Sequence, residues 1–221
     1  MHEMSPTAYA YGLWTTVFFN VLLVVFFTAS FIRPKQKFEW KSMGTFIGFI
    51  AALFTEMYGF PLTIYLLTNW LGNRYPVIHP FSHSNGHLLL VVLGLSQSDV
   101  AMTVLHLVTN GIILFGFYLL YKGWILIYNA GEKELVTGGV YSYIRHPQYL
   151  GLFFITGGLL IQWPTLITVI MWPILMYAYY RLSMSEEKLL EEKFGEQFFK
   201  YKRSVPAFIP SLKRERLWQI T

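Results

Sequence analysis

Residues 100–128 read VAMTVLHLVTNGIILFGFYLLYKGWILIY, a long apolar stretch whose one charged residue is Lys122. A helix needs about 20 mostly apolar residues to cross the hydrocarbon core of a bilayer, so this stretch predicts a membrane-spanning helix. Four further apolar stretches predict spans as well, at 13–32, 43–71, 149–162 and 165–182. The fold class predicted from this pattern is an all-α integral membrane protein with about five transmembrane helices.

The composition supports the membrane class and excludes several kinds of site. Apolar residues make up 54% of the chain and charged residues 13%, whereas soluble domains carry about 25% charged residues. The chain has no cysteine, which excludes disulfide frameworks and thiolate metal sites, and no metal is expected. The net charge of +5 comes from basic residues at span ends and in the tail, where anionic lipid headgroups explain them better than nucleic acid.

Positive charge also predicts the orientation, because lysine and arginine concentrate on the cytoplasmic side. Basic residues follow the first span at 33–41 and the fifth at 188–216, whereas residues 1–12 have none. An extracytoplasmic N-terminus and a cytoplasmic C-terminus satisfy this pattern, and they place the 129–148 loop in the cytoplasm. The apolar piece 88–95 is too short to span, so it is re-entrant, interfacial or an extension of the third span.

The predicted organisation has two parts. Residues 1–128 supply the first three spans. Residues 129–221 supply a polar loop, a tight helical hairpin over 149–182 and a C-terminal helix. Apolar residues recur at helical spacing after the hairpin, which predicts an amphipathic helix on the cytoplasmic face; they are Leu189, Leu190, Phe194, Phe198 and Tyr201.

The 129–148 loop has a different character from the rest of the chain. Gly138 and Gly139 permit close backbone approach, and Arg145 and His146 precede Pro147, a residue favoured in a first helical turn. By composition alone the loop is a turn with a basic membrane anchor. Glu186 and Glu187 likewise match the negative charge preferred in the first turn of a helix.

An ordered set of motifs gives these residues a second interpretation. Glu134-Leu135-Val136-Thr137-Gly138-Gly139-Val140-Tyr141 is followed by Arg145-His146-Pro147-x-Tyr149-x-Gly151, by Glu186-Glu187, and by a Phe194-to-Pro206 ending. This order resembles the isoprenylcysteine carboxyl methyltransferase and phospholipid methyltransferase superfamily over roughly residues 115–210.

The resemblance implies S-adenosylmethionine as the cofactor, bound at a set of loop, helix and tail positions. The implied contacts are Lys133, Glu134, Leu135, Val136, Tyr141, His146, Pro147, Gln148, Tyr149 and Glu187. Arg145, Glu186 and Arg181 are the catalytic candidates, and either glutamate could be the direct cofactor ligand. Arg145 could orient an anionic acceptor through a bidentate contact; Arg181 could do the same, or could reach the membrane interface with its long side chain.

Glu56 lies deep in the second predicted span, where an ionisable residue is a functional-site hypothesis. Two interpretations stand: a buried pair, with His106 as partner, that sets helix register, or a polar group that lines the acceptor cavity.

The predicted function is methyl transfer from S-adenosylmethionine to a hydrophobic or amphiphilic acceptor that enters from the bilayer. A prenylcysteine carboxylate, a phospholipid amine and a small thiol all remain open as acceptors. The alternatives are an NADPH-dependent membrane reductase with a sterol-like substrate, and a non-enzymatic membrane scaffold or sensor.

Overall fold

The computed structural model of the chain describes residues 10–31, 37–71, 82–131 and 134–210. Within these ranges the chain is helical and contains no strand. The α-helices are α1 (Trp14–Ser30), α2 (Lys37–Phe54), α3 (Leu62–Leu71), α4 (Leu88–Val92), α5 (Asp99–Ala130), α6 (Pro147–Gln162), α7 (Leu166–Phe194) and α8 (Glu196–Ser204). A π-helical turn lies at Thr55–Gly59, and 3₁₀ turns lie at His83–Gly86 and Gly139–Ser142.

Two of the described helices, α5 and α7, are long and apolar enough to cross a membrane. The bent pair formed by α2 with its π turn and α3 would make a third span, and α1 is apolar but shorter. The chain is therefore a membrane protein whose described part contains two or three such helices, and the count of five spans stays a prediction. The apolar piece at 88–95 forms the short helix α4, which residues 93–98 separate from α5.

The second predicted span is broken at its centre. The helix axis bends by 65° between Glu39–Gly59 and Leu62–Thr68, because Pro61 has no N–H to continue the hydrogen-bond ladder. Glu56 bridges the break: its carboxylate accepts hydrogen bonds of 2.8 Å from the backbone N–H and from the hydroxyl of Thr63. The run Thr55-Glu56-Met57-Tyr58-Gly59-Phe60-Pro61 predicts a kinked helix, and the observed bend confirms that prediction. The partner of Glu56 is Thr63 rather than His106, whose Nδ1 bonds the carbonyl of Met102.

The C-terminal helix differs from the prediction in where it begins. Residues 183–194, expected to start a separate amphipathic helix, continue α7 without a break. No glycine or proline lies between Leu182 and Phe194, so nothing interrupts the ladder. Gly195 ends α7 with a φ of +51°, a conformation that glycine adopts without a steric penalty. The shorter α8 follows, with Phe198 and Tyr201 buried.

The described chain forms two compact units. One comprises the described residues up to Ile112 together with Thr156–Leu175, and the other comprises the described residues within Ile113–Ile155 and from Met176 onward. Glu56 belongs to the first unit, and the described motif residues from Glu134 onward belong to the second. Within the second unit α5 and α6 touch closely, because a Cβ on Gly116 would lie 2.6 Å from the carbonyl oxygen of Gly151.

Candidate active site

The polar loop of the second unit delivers Arg145 and His146 to the start of α6. Gly139, with a φ of +60°, opens the 3₁₀ turn, and a Cβ there would lie 2.8 Å from Leu126. Pro147 is the first residue of α6, as predicted from its fixed backbone angle. Because the loop ends here, the side chains of Arg145 and His146 lie beside the polar end of α7.

Glu187 is the centre of the charged cluster in this unit, and its side chain is only 2% exposed. Its Oε1 accepts hydrogen bonds from Arg145 Nε at 2.9 Å and from His146 Nε2 at 2.9 Å, and Arg145 Nη2 lies 2.8 Å away. Its Oε2 lies 2.9 Å from Lys202 Nζ and forms an ion pair with it, although the angles are not those of a hydrogen bond. A loop, α7 and α8 therefore meet at one buried carboxylate.

The cluster keeps Glu187 ionised. This residue lies in the charged last turns of α7, beyond the apolar part predicted to end at Leu182. Burial alone would raise its pKa, but the contacts from His146, Lys202 and Arg145 lower the pKa of Glu187 from 4.5 to about 2. The contacts with Glu191 and then Glu187 raise the pKa of Lys202. Both partners are therefore charged at neutral pH.

The last turn of α8 and the segment after it are tied to the same loop, and we call residues 201–208 the C-terminal clasp. The backbone N–H groups of Arg145 and His146 donate to the carbonyls of Pro206 and Ala207 at 2.9 and 3.1 Å. Arg145 Nη1 donates to the carbonyls of Lys202 and Val205. With Nε and Nη2 on Glu187, all three guanidinium nitrogens of Arg145 have protein partners.

The tyrosine at position 201 adds a second tie between clasp and loop. Its hydroxyl donates to the carbonyl of Tyr141 at 2.7 Å. Phe198, Tyr201 and Val205 also form a small buried apolar cluster, against which Leu135 packs. The clasp is therefore held by apolar contact as well as by hydrogen bonds.

Glu186 has surroundings different from those of its neighbour. Successive residues of an α-helix point about 100° apart, so Glu186 faces α6, where the hydroxyl of Tyr149 donates to its Oε1. Glu186 is partly exposed, whereas Glu187 is buried. The two carboxylates that the sequence could not tell apart thus have separate environments.

Five rings next to Glu186 and Glu187 follow one another in space, and we call them the aromatic row: Tyr179, Tyr149, His146, Phe208 and Tyr180. Ring centroids are 5.8 Å apart for Tyr179 and Tyr149 and 6.0 Å apart for Tyr149 and His146. They are 5.5 Å apart for His146 and Phe208 and 6.5 Å apart for Phe208 and Tyr180. Tyr179, Tyr180 and Phe208 were missed at the sequence level, although Tyr179 lies two helical turns before Glu186.

The remaining predicted site residues lie on the loop, at the start of α6 and on α7. Glu134 is exposed, and Val136 is partly exposed on the loop. Tyr141 is buried, with its hydroxyl directed at the carbonyl of Gly123. Gln148 is in the first turn of α6, and Arg181 is exposed on α7. Lys133 lies outside the described residues, and among the described residues no group of three or more His, Cys, Asp or Glu is arranged to hold a metal ion.

Comparison with known proteins shows that Arg145, His146 and Glu187 lie within a recognised family region and that Lys202 lies just after it. Residues 99–197 match the family model described as phospholipid methyltransferase. The protein-S-isoprenylcysteine O-methyltransferase of Homo sapiens is 34% identical over 85 residues, which are 38% of this chain and 30% of the relative. The chain thus spans less than a third of that relative's length.

Two further relatives extend the similarity over more of the chain. The nickel-cobalt-cadmium resistance protein NccN of Alcaligenes xylosoxydans xylosoxydans is 35% identical over 130 residues, 57% of this chain and 60% of the relative. The protein-S-isoprenylcysteine O-methyltransferase of Saccharomyces cerevisiae is 25% identical over 232 positions, covering 95% of this chain and 91% of the relative.

Proposed function

Because this chain belongs, through residues 99–197, to the superfamily of phospholipid and isoprenylcysteine membrane methyltransferases, we propose that it methylates a membrane-associated acceptor with S-adenosylmethionine as donor. One observation carries the proposal. The second unit brings the loop, the polar end of α7 and the clasp together at Glu187, inside or next to the matched region. A site built from three separate chain segments has a purpose beyond anchoring a loop at a membrane surface.

The residues present fit the proposed donor. S-adenosylmethionine supplies a methyl group on a sulfonium, which needs no further activation. A cationic group suits the partly exposed carboxylate of Glu186, and a purine suits the aromatic row. In this proposal Glu186, Tyr149 and the rings next to His146 hold the donor.

Glu187 and Arg145 act through other residues in this proposal. Three donor atoms already surround Oε1 of Glu187, and Lys202 pairs with Oε2. The guanidinium nitrogens of Arg145 are engaged as well, so it has little capacity left to receive a substrate carboxylate. Both are therefore positioning residues, and they keep His146 and the clasp in place. The resemblance implies that Glu187 contacts the cofactor, whereas in this proposal Glu187 holds other residues in place.

The acceptor is a hydrophobic or amphiphilic molecule. The rate gain in a direct displacement comes from holding donor and acceptor in line and from excluding water. A prenylcysteine carboxylate would need a cation, and the exposed Arg181 is the candidate on α7. A phospholipid amine or a thiol would need no such partner. Glu56 stays a candidate for the acceptor cavity of the first unit, although its carboxylate already bonds Thr63.

We place the site at the cytoplasmic face, which the distribution of lysine and arginine supports. The family match and the relatives favour methyl transfer over the reductase. A reductase would need to bind a dinucleotide carrying several phosphates. The basic groups of the described cluster, Arg145 and Lys202, are instead paired with Glu187 and Glu191.

Titration of the purified protein with S-adenosylhomocysteine and with NADPH tests the proposal. We expect S-adenosylhomocysteine to bind, and Glu186→Gln to weaken that binding. Glu192→Gln, an exposed glutamate on the same helix, is the matched control and should bind like the natural protein. Binding of NADPH without S-adenosylhomocysteine would overturn the proposal. Mass spectrometry of lipids and small thiols after incubation with labelled S-adenosylmethionine would then name the acceptor.

A further inference from the structure

We propose that Phe208 is part of the binding site for the adenine ring of the methyl donor, with Tyr180 beside it. The proposal rests on the proposed function and deepens it, because it adds a ligand contact outside the region of the family match. Phe208 lies eleven residues beyond the end of that region.

The position of Phe208 is the first support. Its ring is partly exposed and lies 5.5 Å from the His146 ring and 6.5 Å from the Tyr180 ring. His146 is bonded through Nε2 to Glu187. Phe208 therefore touches the charged cluster on one side and the exposed ring of Tyr180 on the other.

The second support is how firmly Phe208 is held. The last helical bond of α8 runs from the Val205 N–H to the Tyr201 carbonyl, and the loop holds the residues that follow it. Pro206 and Ala207, the two residues before Phe208, each accept a backbone hydrogen bond from Arg145 or His146. Since Arg145 also binds Glu187, the same residue orders the cluster and sets the place of the Phe208 ring.

The chemistry of the surface selects the ligand. The aromatic row consists of four aromatic side chains and a histidine, and Tyr180 is 51% exposed. A hydrocarbon chain packs equally well against leucine or isoleucine, whereas a nucleobase gains stacking energy specifically from rings. The adenine of the donor is planar and can stack over its whole face on these rings, so we assign it to this surface.

Isothermal titration with two probes tests the assignment. S-adenosylhomocysteine carries the adenosine part and the amino acid, and 5′-methylthioadenosine carries the adenosine part with a methylthio group but no amino acid. We expect Phe208→Leu to weaken both by roughly tenfold and Phe208→Tyr to bind within roughly threefold of the natural protein, since stacking needs a ring. Ile209→Ala is the matched control, because Ile209 is the adjacent residue and is 82% exposed; its affinities should not change.

Other results of the titration would overturn the assignment of Phe208 or transfer it to the acceptor. Unchanged affinity of Phe208→Leu for both probes would overturn the inference, and a raised KM for the acceptor alone would assign Phe208 to the acceptor instead. If Phe208→Leu does not fold, Tyr180→Leu, with its half-exposed ring, should show the same loss, and its failure to do so overturns the assignment. If the natural protein binds neither nucleoside, the proposed function itself fails, so the two failures are distinguishable.

Discussion

Replacing Glu187 with glutamine would remove one negative charge from the cluster while leaving its shape almost unchanged. The Arg145 side chain is 10% exposed, so its guanidinium would stay buried. Its remaining acceptors would be the carbonyl oxygens of Lys202 and Val205 and the weaker amide oxygen of the new glutamine. Lys202 would keep Glu191 as its partner. The main cost therefore falls on Arg145 and on the clasp that it holds.

The size of the effect follows from the electrostatics of Glu187. Lowering its pKa from 4.5 to about 2 corresponds to about 3 kcal/mol of stabilisation at neutral pH. Breaking a buried ion pair by removing one partner costs about 3–5 kcal/mol in general, which agrees. For a chain of this length about 3 kcal/mol lowers the melting temperature by roughly 6–12 °C.

Thermal unfolding in detergent, followed by tryptophan fluorescence, measures this change. Glu192→Gln removes the same charge from an exposed position on α7, and its melting temperature should equal that of the natural protein. A melting temperature for Glu187→Gln within about 2 °C of the natural protein, well below the expected shift, would refute the view that Glu187 organises the unit.

Three further predictions concern the same unit. The lowered pKa of Glu187 means that its contribution to stability is complete above about pH 4.5 and is lost as the pH falls towards 2, so acid should lower the melting temperature of the natural protein more than that of Glu187→Gln. Gly151→Ala would place a Cβ 2.6 Å from a carbonyl oxygen of α5 and should cost about 1–3 kcal/mol of unfolding free energy. Gly111→Ala, with nothing within 4 Å, should be neutral or stabilising in the same melts. Tyr201→Phe should lose about 1 kcal/mol, because the carbonyl of Tyr141 loses its donor, and an unchanged melting temperature would show that this tie is unimportant.

Several features of the fold were predictable because they depend on neighbours along the chain. Apolar length predicts the long helices, Pro147 predicts the start of α6, and Pro61 predicts a bend in the second span. The number of spans is harder, because α1 and the pieces around the bend fall short of the usual length and composition. The start of α8 was misplaced, because the charges after Leu182 resemble a helix start although the backbone ladder runs on to Gly195.

The candidate site was predictable as a set of residues but not as an arrangement. The motifs select Arg145, His146, Tyr149 and the two glutamates, yet assigning roles needs the geometry. Which glutamate is buried depends on the rotation of α7 against the loop, and a single residue of rotation exchanges the two. Phe208 was missed because it lies beyond the motifs and reaches His146 only through the fold of the clasp.

The sequence by itself determined the membrane class, the helical content and the identity of the polar residues, since these follow from composition and local periodicity. The tertiary structure alone decided that Glu187 is saturated by Arg145, His146 and Lys202, that Glu186 faces Tyr149, and that Phe208 joins the aromatic row. The physical reason is separation along the chain. These contacts join residues about 40 to 60 positions apart, and short-range patterns contain no information about such distances.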